Sequence, residues 1–286
     1  MPKCALLTCQ DLSKYVSDEE LLLIALRKQL PLIEFTYIPW DAPIDWNLFD
    51  WAIVRTTWDY TKRLDEFVAV IQRIKSSSCQ LFNSADIIVW NSRKTYLADL
   101  EKKNIPIIPT VFLGKNNLDS LASTIASWPQ DRVALKPVVG ANSSQIQILL
   151  KKQANDVGHD LAQRQTGEWF IQPFLAEIAQ GETSYHFFNK KFSHAIRKVP
   201  KPGDFRVQEE HGAEILSYQA QPWELTHAQN TVDAIAEDLL YARVDAVAFK
   251  QSWLLMELEL IEPSLYFRTD LQSANRFAQA FSEKIS

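Results

Sequence analysis

The chain has 286 residues, 47% of them hydrophobic, and a formal net charge of −5, which argues against a nucleic-acid-binding protein with its usual basic face. No stretch reaches the roughly 18 apolar residues of a membrane span, and the apolar run in residues 1–10 is too brief for a signal peptide. Cys4, Cys9 and Cys79 lack the spacing of a metal site, so we expect reduced thiols in a cytoplasmic protein.

Residues 1–83 are predicted to form an N-terminal α/β domain. Helical segments separate four apolar strands, predicted at Lys3–Thr8, Leu32–Ile38, Trp51–Arg55 and Gln80–Asn83. This alternation indicates a parallel sheet covered by helices, whose ligands bind beyond the carboxyl ends of the strands. Thr57, Trp58 and Asp59 leave such an end and are candidate substrate-binding residues, with aromatic packing between domains as the alternative.

Three further units are predicted. Residues 84–110 form a helical connection with a helix at Ser92–Lys103, since prolines follow it as breakers. Residues 111–170 form a small α+β subdomain, and residues 171–286 form a larger C-terminal one. We therefore expect an α/β protein with several sheets.

The most informative segment is a predicted hairpin. Residues repeat with a period of two over Tyr241–Phe249 and over Trp253–Leu260, so that one face of each segment is apolar. This period indicates two paired strands. A turn centred on Gln251 places Asp245 opposite Glu257 and Arg243 opposite Glu259. The same register puts Val247 and Leu255 on the charged face and Met256 on the core face.

Directly opposed carboxylates repel each other, so this face needs a compensating cation. Arg243 supplies one charge, and Mg²⁺ (or Mn²⁺), which prefers oxygen ligands, supplies two. Asp245, Glu257 and Glu259 are therefore candidate metal ligands, and the same residues form part of the C-terminal subdomain. The alternative is a solvated outer face.

Two lysines and a small-residue loop indicate an anion site. Lys94 lies in the first turn of a predicted helix, where a bound phosphate would offset the unfavourable helix dipole. Lys136 lies in an apolar strand, where an unpaired lysine is rare. The loop Gly140–Ser144 follows, and its backbone amides could cradle phosphates. Solvent exposure of Lys94 and an edge position of Lys136 stay open as alternatives. Neither a P-loop nor a dinucleotide-binding motif is present.

A charged segment runs from Ile196–Lys198 to Pro202–Gly212. Its glycines and mixed charges favour a mobile lid, although an ordinary solvated loop has the same composition.

In this order the segments resemble the ATP-grasp superfamily over roughly residues 84–265. The resemblance includes the Lys136–Pro137 strand, the hinge Gln172–Leu175, and the Arg-x-Asp followed by paired acidic residues. It is most specific for the branch that contains the cycloserine-forming ligase, and is more distant for glutathione synthetase and the ribosomal-protein glutamate ligase. It implies an ATP-grasp fold, in which an N-terminal parallel-sheet domain precedes two α+β subdomains that sandwich ATP.

The resemblance also implies roles. The implied cofactor-binding residues are Lys94, Lys136, Ser143, Ser144, Gln172, Phe174, Leu175, Glu177, Glu182 and Arg197. Both lysines contact ATP phosphates, the backbone at Phe174 and Leu175 reads adenine, and Glu177 or Glu182 holds ribose. Arg243 and Arg206 are the catalytic candidates, the first for charge at the reacting carbonyl and the second for the substrate carboxylate or the γ-phosphate.

The sequence departs from many relatives at two places. Glu257-x-Glu259 replaces the common Glu-x-Asn, which makes Glu262 a further candidate ligand, and the phosphate loop has a single glycine. The resemblance implies a ligase that joins a small-molecule carboxylate to an amine through an acyl phosphate, with ATP and Mg²⁺ (or Mn²⁺). A kinase-like phosphotransferase and a non-catalytic nucleotide-binding module stay open as alternatives, as does an oligomer.

Overall fold

The computed structural model describes residues 1–113, 118–140, 145–164, 168–249 and 252–286. The first sheet has four parallel strands in the order β2-β1-β3-β4. Their bounds are Lys3–Thr8 for β1, Glu34–Pro39 for β2, Trp51–Thr56 for β3 and Gln80–Phe82 for β4. The central strands β1 and β3 are buried over nearly their whole length, as expected for a parallel sheet with helices on both faces.

Two helices of the N-terminal segment and one from the far end of the chain cover this sheet. They are α1 at Glu19–Gln29, α2 at Leu64–Lys75 and α8 at Ser273–Ile285. Phe277 and Phe281 of α8 are buried in the same cluster as Leu6, Leu26 and Ile53. The last helix of the chain therefore completes the N-terminal core.

The second sheet is antiparallel, with the order β5-β8-β6-β7. Its strands are β5 at Val111–Leu113, β6 at Arg132–Pro137, β7 at Gln147–Leu150 and β8 at Trp169–Pro173, and its helices are α5 at Leu118–Ser127 and α6 at Lys151–Arg164. Leu121 and Ile125 of α5 pack with Leu135 and Ile171 of the sheet.

The third sheet is antiparallel in the order β11-β10-β9-β12-β13, with one face under α7. Its elements are β9 at Glu182–Phe188, β10 at Lys191–Val199, β11 at Glu214–Tyr218, α7 at Pro222–Asp233, β12 at Tyr241–Phe249 and β13 at Ser252–Glu259. Arg243 pairs with Glu259 and Asp245 pairs with Glu257, so the predicted register is confirmed at the charged positions.

A bulge between Asp245 and Ala246 changes the register further along the hairpin. Beyond it Ala246 pairs with Leu255, and Leu255 is buried in the large core cluster. Met256 lies instead beside Val247 in a smaller apolar cluster. The predicted faces of Leu255 and Met256 were therefore wrong, because the extra residue of a bulge reverses the alternation.

The connection between the first two sheets contains two short helices, α3 at Ala85–Asn91 and α4 at Tyr96–Lys102, rather than the single predicted helix Ser92–Lys103. The backbone N–H of Lys94 donates to the carbonyl of Val138 at 2.9 Å, which ties the intervening turn to the second sheet. The Asn91 amide bonds the backbone of the edge strand β13, donating to Leu258 at 2.8 Å and accepting from Leu260 at 2.9 Å. In the described residues, no helix is long and apolar enough to cross a membrane.

Candidate active site

The three sheets border one cleft, whose empty volume is about 1740 Å³ with the open solvent at its mouth included. Apolar residues of the second and third sheets and of the segments beside them form one part of its lining, namely Ile108, Ala134, Ile146, Ile148, Phe170, Leu175, Ile178, Met256 and Leu258. The extra residue of the bulge is Met256 itself, in β13, and it turns to this side of the hairpin. The result is an apolar slot of the kind that accepts a flat aromatic base.

The carboxylates of the predicted hairpin lie in the same cleft. The Arg243 guanidinium donates to Asp245 at 2.9 Å and to Glu259 at 2.5 Å, and its other terminal nitrogen donates to the Ser264 carbonyl at 3.1 Å. These bonds fix the plane of the guanidinium. Arg243 is buried, so it is a preorganised positive charge rather than a mobile surface side chain.

Three lysines from different elements converge on this carboxylate group. The Lys94 ammonium donates to Glu257 at 2.5 Å and to the Gly140 carbonyl at 3.0 Å. Lys198 lies 3.2 Å from Asp245 and also pairs with Glu182. Lys136 donates to the side-chain oxygen of Gln172 at 2.8 Å. Strand β10 and the turn after α3 thus bring cations to carboxylates that are distant in sequence, and β6 brings a third cation to the same cleft.

Burial perturbs the titration of several of these groups. Burial lowers the pKa of Lys136 to about 8, although Glu257 and Glu182 oppose the shift. Burial raises the pKa of Glu259 to about 7 against the attraction of Arg243, and burial together with Glu259 raises the pKa of Glu262 well above its usual range. Burial opposes the ionisation of Asp245, but the Arg243 and Lys198 cations hold its pKa below the usual range. Groups perturbed by both burial and charge partners are typical of functional sites.

Most of the predicted site residues line this cleft. They are Trp58, Lys94, Lys136, Gln172, Phe174, Leu175, Glu182, Arg243, Asp245, Glu257 and Glu259, and Glu262 lines it as well. Ser143 and Ser144 lie outside the described residues. Phe174 already donates its backbone N–H to the Arg132 carbonyl at 2.9 Å, so that donor is not available to an adenine.

Five predicted residues are not brought into the cleft lining: Thr57, Asp59, Glu177, Arg197 and Arg206. Arg206 binds Asp204 through two nitrogens at 2.7 and 3.1 Å, because that carboxylate lies only two residues away in the same turn. Arg197 lies on the opposite side of β10 from Lys198, with its guanidinium 4.1 Å above the Tyr218 ring. Asp59 accepts from the Trp40 indole at 2.8 Å, and Thr57 is fully buried.

Sequence reasoning missed Lys198, Tyr15 and Tyr266, which all line the cleft. Strand alternation alone could not choose between Arg197 and Lys198. The deciding contact is the pairing of Lys198 with Glu182 across β9 and β10, which joins segments with no local signal. Tyr60, named only as part of a polar segment, also lines the cleft, and burial together with Glu262 raises its pKa well above the usual range.

No three acidic, histidine or cysteine side chains of the described ranges are arranged as a ready metal site. The carboxylates of Asp245, Glu257 and Glu259 turn instead to Arg243, Lys94 and Lys198. Their chemistry nevertheless fits a hard cation, because several carboxylates lie in one cleft and Glu257 and Glu259 keep part of their surface exposed. The metal assignment stays a prediction.

Comparison with known proteins connects this geometry to an enzyme class. Residues 4–83 match the family model of the N-terminal domain of D-cycloserine synthetase DcsG. The chain is 29% identical over 263 residues to the cycloserine biosynthesis protein DcsG of Streptomyces lavendulae, covering 86% of each chain.

Solved structures show the same relationship. The crystal structure of D-cycloserine synthetase DcsG superposes with a TM-score of 0.87 at 26% identity, over 99% of this chain and 100% of that one. D-alanine–D-alanine ligase from Bacillus anthracis superposes with a TM-score of 0.65 at 14% identity, over 100% and 96%. Together with the cleft between the sheets, these findings show that the chain is homologous to D-cycloserine synthetase and has the fold of the ATP-grasp ligases, which supports a C–N bond-forming ligase.

Proposed function

We propose that the chain activates the carboxylate of a small amino-acid-like substrate as an acyl phosphate, and then transfers the acyl group to an amine or related nitrogen. The observation that supports this most is the convergence of Lys94, Lys136, Lys198 and Arg243 on one cleft beside an apolar slot. A nucleotide can place its base in the slot and its phosphates among the cations. A carboxylate substrate then meets the γ-phosphate beside Arg243.

In the first step a carboxylate oxygen of the substrate forms a bond to the γ-phosphorus of ATP, and ADP leaves. Lys94 and Lys136 hold the phosphates, and Arg243 neutralises charge on the transferred group, so that catalysis rests on positioning and electrostatics. Mg²⁺ or Mn²⁺, held by Glu257, Glu259 and either Asp245 or Glu262, supplies further positive charge at the phosphates. Lys198 keeps Asp245 and Glu182 in place.

In the second step the nitrogen attacks the acyl carbon, phosphate leaves, and the nitrogen loses its proton. The fixed Arg243 guanidinium donates hydrogen bonds to the developing oxyanion. The acyl phosphate reacts with water, so the segment that carries Phe205 and Val207 excludes water from the cleft. No protein nucleophile takes part in this scheme.

A small substrate fits the other end of the cleft. Tyr15, Trp58 and Tyr60 of the N-terminal unit form an aromatic wall there, and Trp58 donates its indole N–H to the Glu262 carbonyl at 2.9 Å. Glu210 adds negative charge beside the aromatic faces, which suits a substrate that carries an ammonium group. The three buried free thiols fit the reducing cytoplasm, where we propose the enzyme acts.

The likeness to D-cycloserine synthetase makes ring closure within one molecule the first reaction to test. Incubation with ATP, Mg²⁺ and a panel of amino acids that carry a second nitrogen, followed by phosphate assay and mass spectrometry, distinguishes the possibilities. Ring closure gives a product lighter than its substrate by one water, whereas joining two molecules gives their summed mass less one water. A phosphorylated product formed without any amine supports the kinase-like alternative. ATP binding without turnover on any substrate supports the regulatory module and contradicts the proposal.

A further inference from the structure

A glycine stands at each end of the loop that lies beside the cleft. Gly203 and Gly212 have φ angles of +85° and +77°, in the left-handed region that favours glycine. We call the segment between them, Gly203–Gly212, the lid loop. Five of its residues line the cleft: Phe205, Val207, Gln208, Glu209 and Glu210. The chain can therefore turn at both ends of a segment that covers the site.

Arg268 connects the lid loop to the N-terminal unit. One terminal nitrogen of its guanidinium donates to both oxygens of Asp18 at 2.9 Å, and its backbone N–H donates to Asp18 at 3.2 Å. The other terminal nitrogen donates to Glu209 of the lid loop. Asp18 stands at the start of α1, where its side chain caps no backbone N–H. Its contacts with Arg268 therefore do not compete with a capping role.

Tyr266 lies between this ion pair network and the catalytic arginine. Its ring centroid is 5.4 Å from the Arg268 guanidinium and 5.9 Å from the Arg243 guanidinium. The Tyr266 side chain is buried and lines the cleft, and its backbone has a φ of +47°. Each guanidinium is within the range of a cation–π contact with this ring. Tyr266 therefore contacts both the arginine that binds the lid loop and the arginine of the cleft.

We propose that Arg268 is a positioning residue that fastens the lid loop closed through the Asp18–Arg268–Glu209 network and, through Tyr266, holds Arg243 in place for the reaction. Asp18 and Arg268 are mostly shielded from water, with side-chain exposures of 11% and 33%, so solvent screens this network less than an ordinary surface ion pair. The effect on chemistry rests on the proposed function, whereas the fastening of the loop is independent of that function.

Hydrogen–deuterium exchange of the full chain tests the fastening. Glu209→Gln and Asp18→Asn each remove one partner with little change of shape, and Asp86→Asn removes the distant Lys75 ion pair as the control. We expect amides of residues 203–212 to exchange about fivefold faster in the first two variants and at the wild-type rate in the control, as for the loss of a pair worth about 1 kcal/mol. Wild-type exchange rates in both Glu209→Gln and Asp18→Asn overturn the proposal.

Two readouts in Glu209→Gln test the effect on chemistry. An open lid loop admits water to the acyl phosphate, so the ratio of phosphate released to ligated product is expected to rise above one. A displaced Arg243 lowers kcat with little change in the KM for ATP. Faster exchange with a wild-type kcat contradicts the coupling through Tyr266. A wild-type protein that binds no ATP contradicts the proposed function instead, while the exchange result still decides whether the loop is fastened.

Discussion

Lys136 gives a prediction with a definite pH window. Its ammonium is half-buried beside Gln172, and removal from water lowers its pKa from 10.5 to about 8. ATP phosphates favour the charged form, so binding is unimpaired below pH 8 and requires proton uptake above it. From this pKa, about a tenth of the lysines are neutral at pH 7 and about nine tenths at pH 9. The apparent affinity for ATP is therefore expected to fall roughly tenfold between pH 7 and pH 9, about 1.4 kcal/mol.

Isothermal titration calorimetry with a non-hydrolysable ATP analogue measures this effect. Titrations at pH 9 in buffers of different ionisation enthalpy should report an uptake of nearly one proton. Lys136→Arg keeps its charge throughout and is the matched control, whose affinity changes only as far as the ionisation of Glu259 changes it. Lys136→Ala should bind weakly at both pH values. A wild-type affinity that is equal at pH 7 and pH 9 refutes the reasoning.

Three further changes test the site and its support. Glu257→Gln removes one carboxylate charge beside Lys94 and is expected to lower the ligation rate at least about 100-fold with an unchanged melting temperature; near-normal turnover contradicts its metal-binding role. Met256→Trp fills the apolar slot and should weaken ATP binding about tenfold in a fluorescence titration, whereas unchanged affinity places the base elsewhere. Arg55→Met leaves Glu19 without its buried partner and should lower the free energy of unfolding in urea by about 3–5 kcal/mol, a loss that Glu19→Gln in the same chain should partly reverse.

The charged end of the hairpin could be predicted from sequence because alternation fixes which residues share a face. The bulge after Asp245 could not, since one extra residue leaves no mark in the pattern of apolar and polar residues. It exchanged the faces of Leu255 and Met256, and so gave the cleft an apolar residue that had been assigned to the core. The regular part of the hairpin was therefore predictable, and the position of the bulge was not.

Contacts between distant segments were the other limit. Helix α8 packs on the first sheet although 190 residues separate it from β4, so the predicted division at residues 83, 110 and 170 stays a proposal to which this returning helix must be added. The resemblance implied a catalytic role for Arg206, and in the structure its guanidinium pairs with Asp204. Whether an arginine is free to bind a ligand depends on its neighbours in space, which composition does not reveal.

Contacts between distant segments also change the argument for a bound metal ion. The opposed carboxylates of the hairpin seemed to need a divalent cation, but Arg243, Lys94 and Lys198 already compensate them. The stronger argument comes from the whole cleft, where the described lining residues include four lysine or arginine side chains and seven aspartate or glutamate side chains. ATP is itself a polyanion, and its phosphates compete with Glu257 for Lys94. Burial raises the pKa of Glu259 and of Glu262, so these carboxylates are partly neutral in the empty cleft. Phosphates that displace Glu257 from Lys94 free a carboxylate whose oxygens are the ligands that Mg²⁺ prefers.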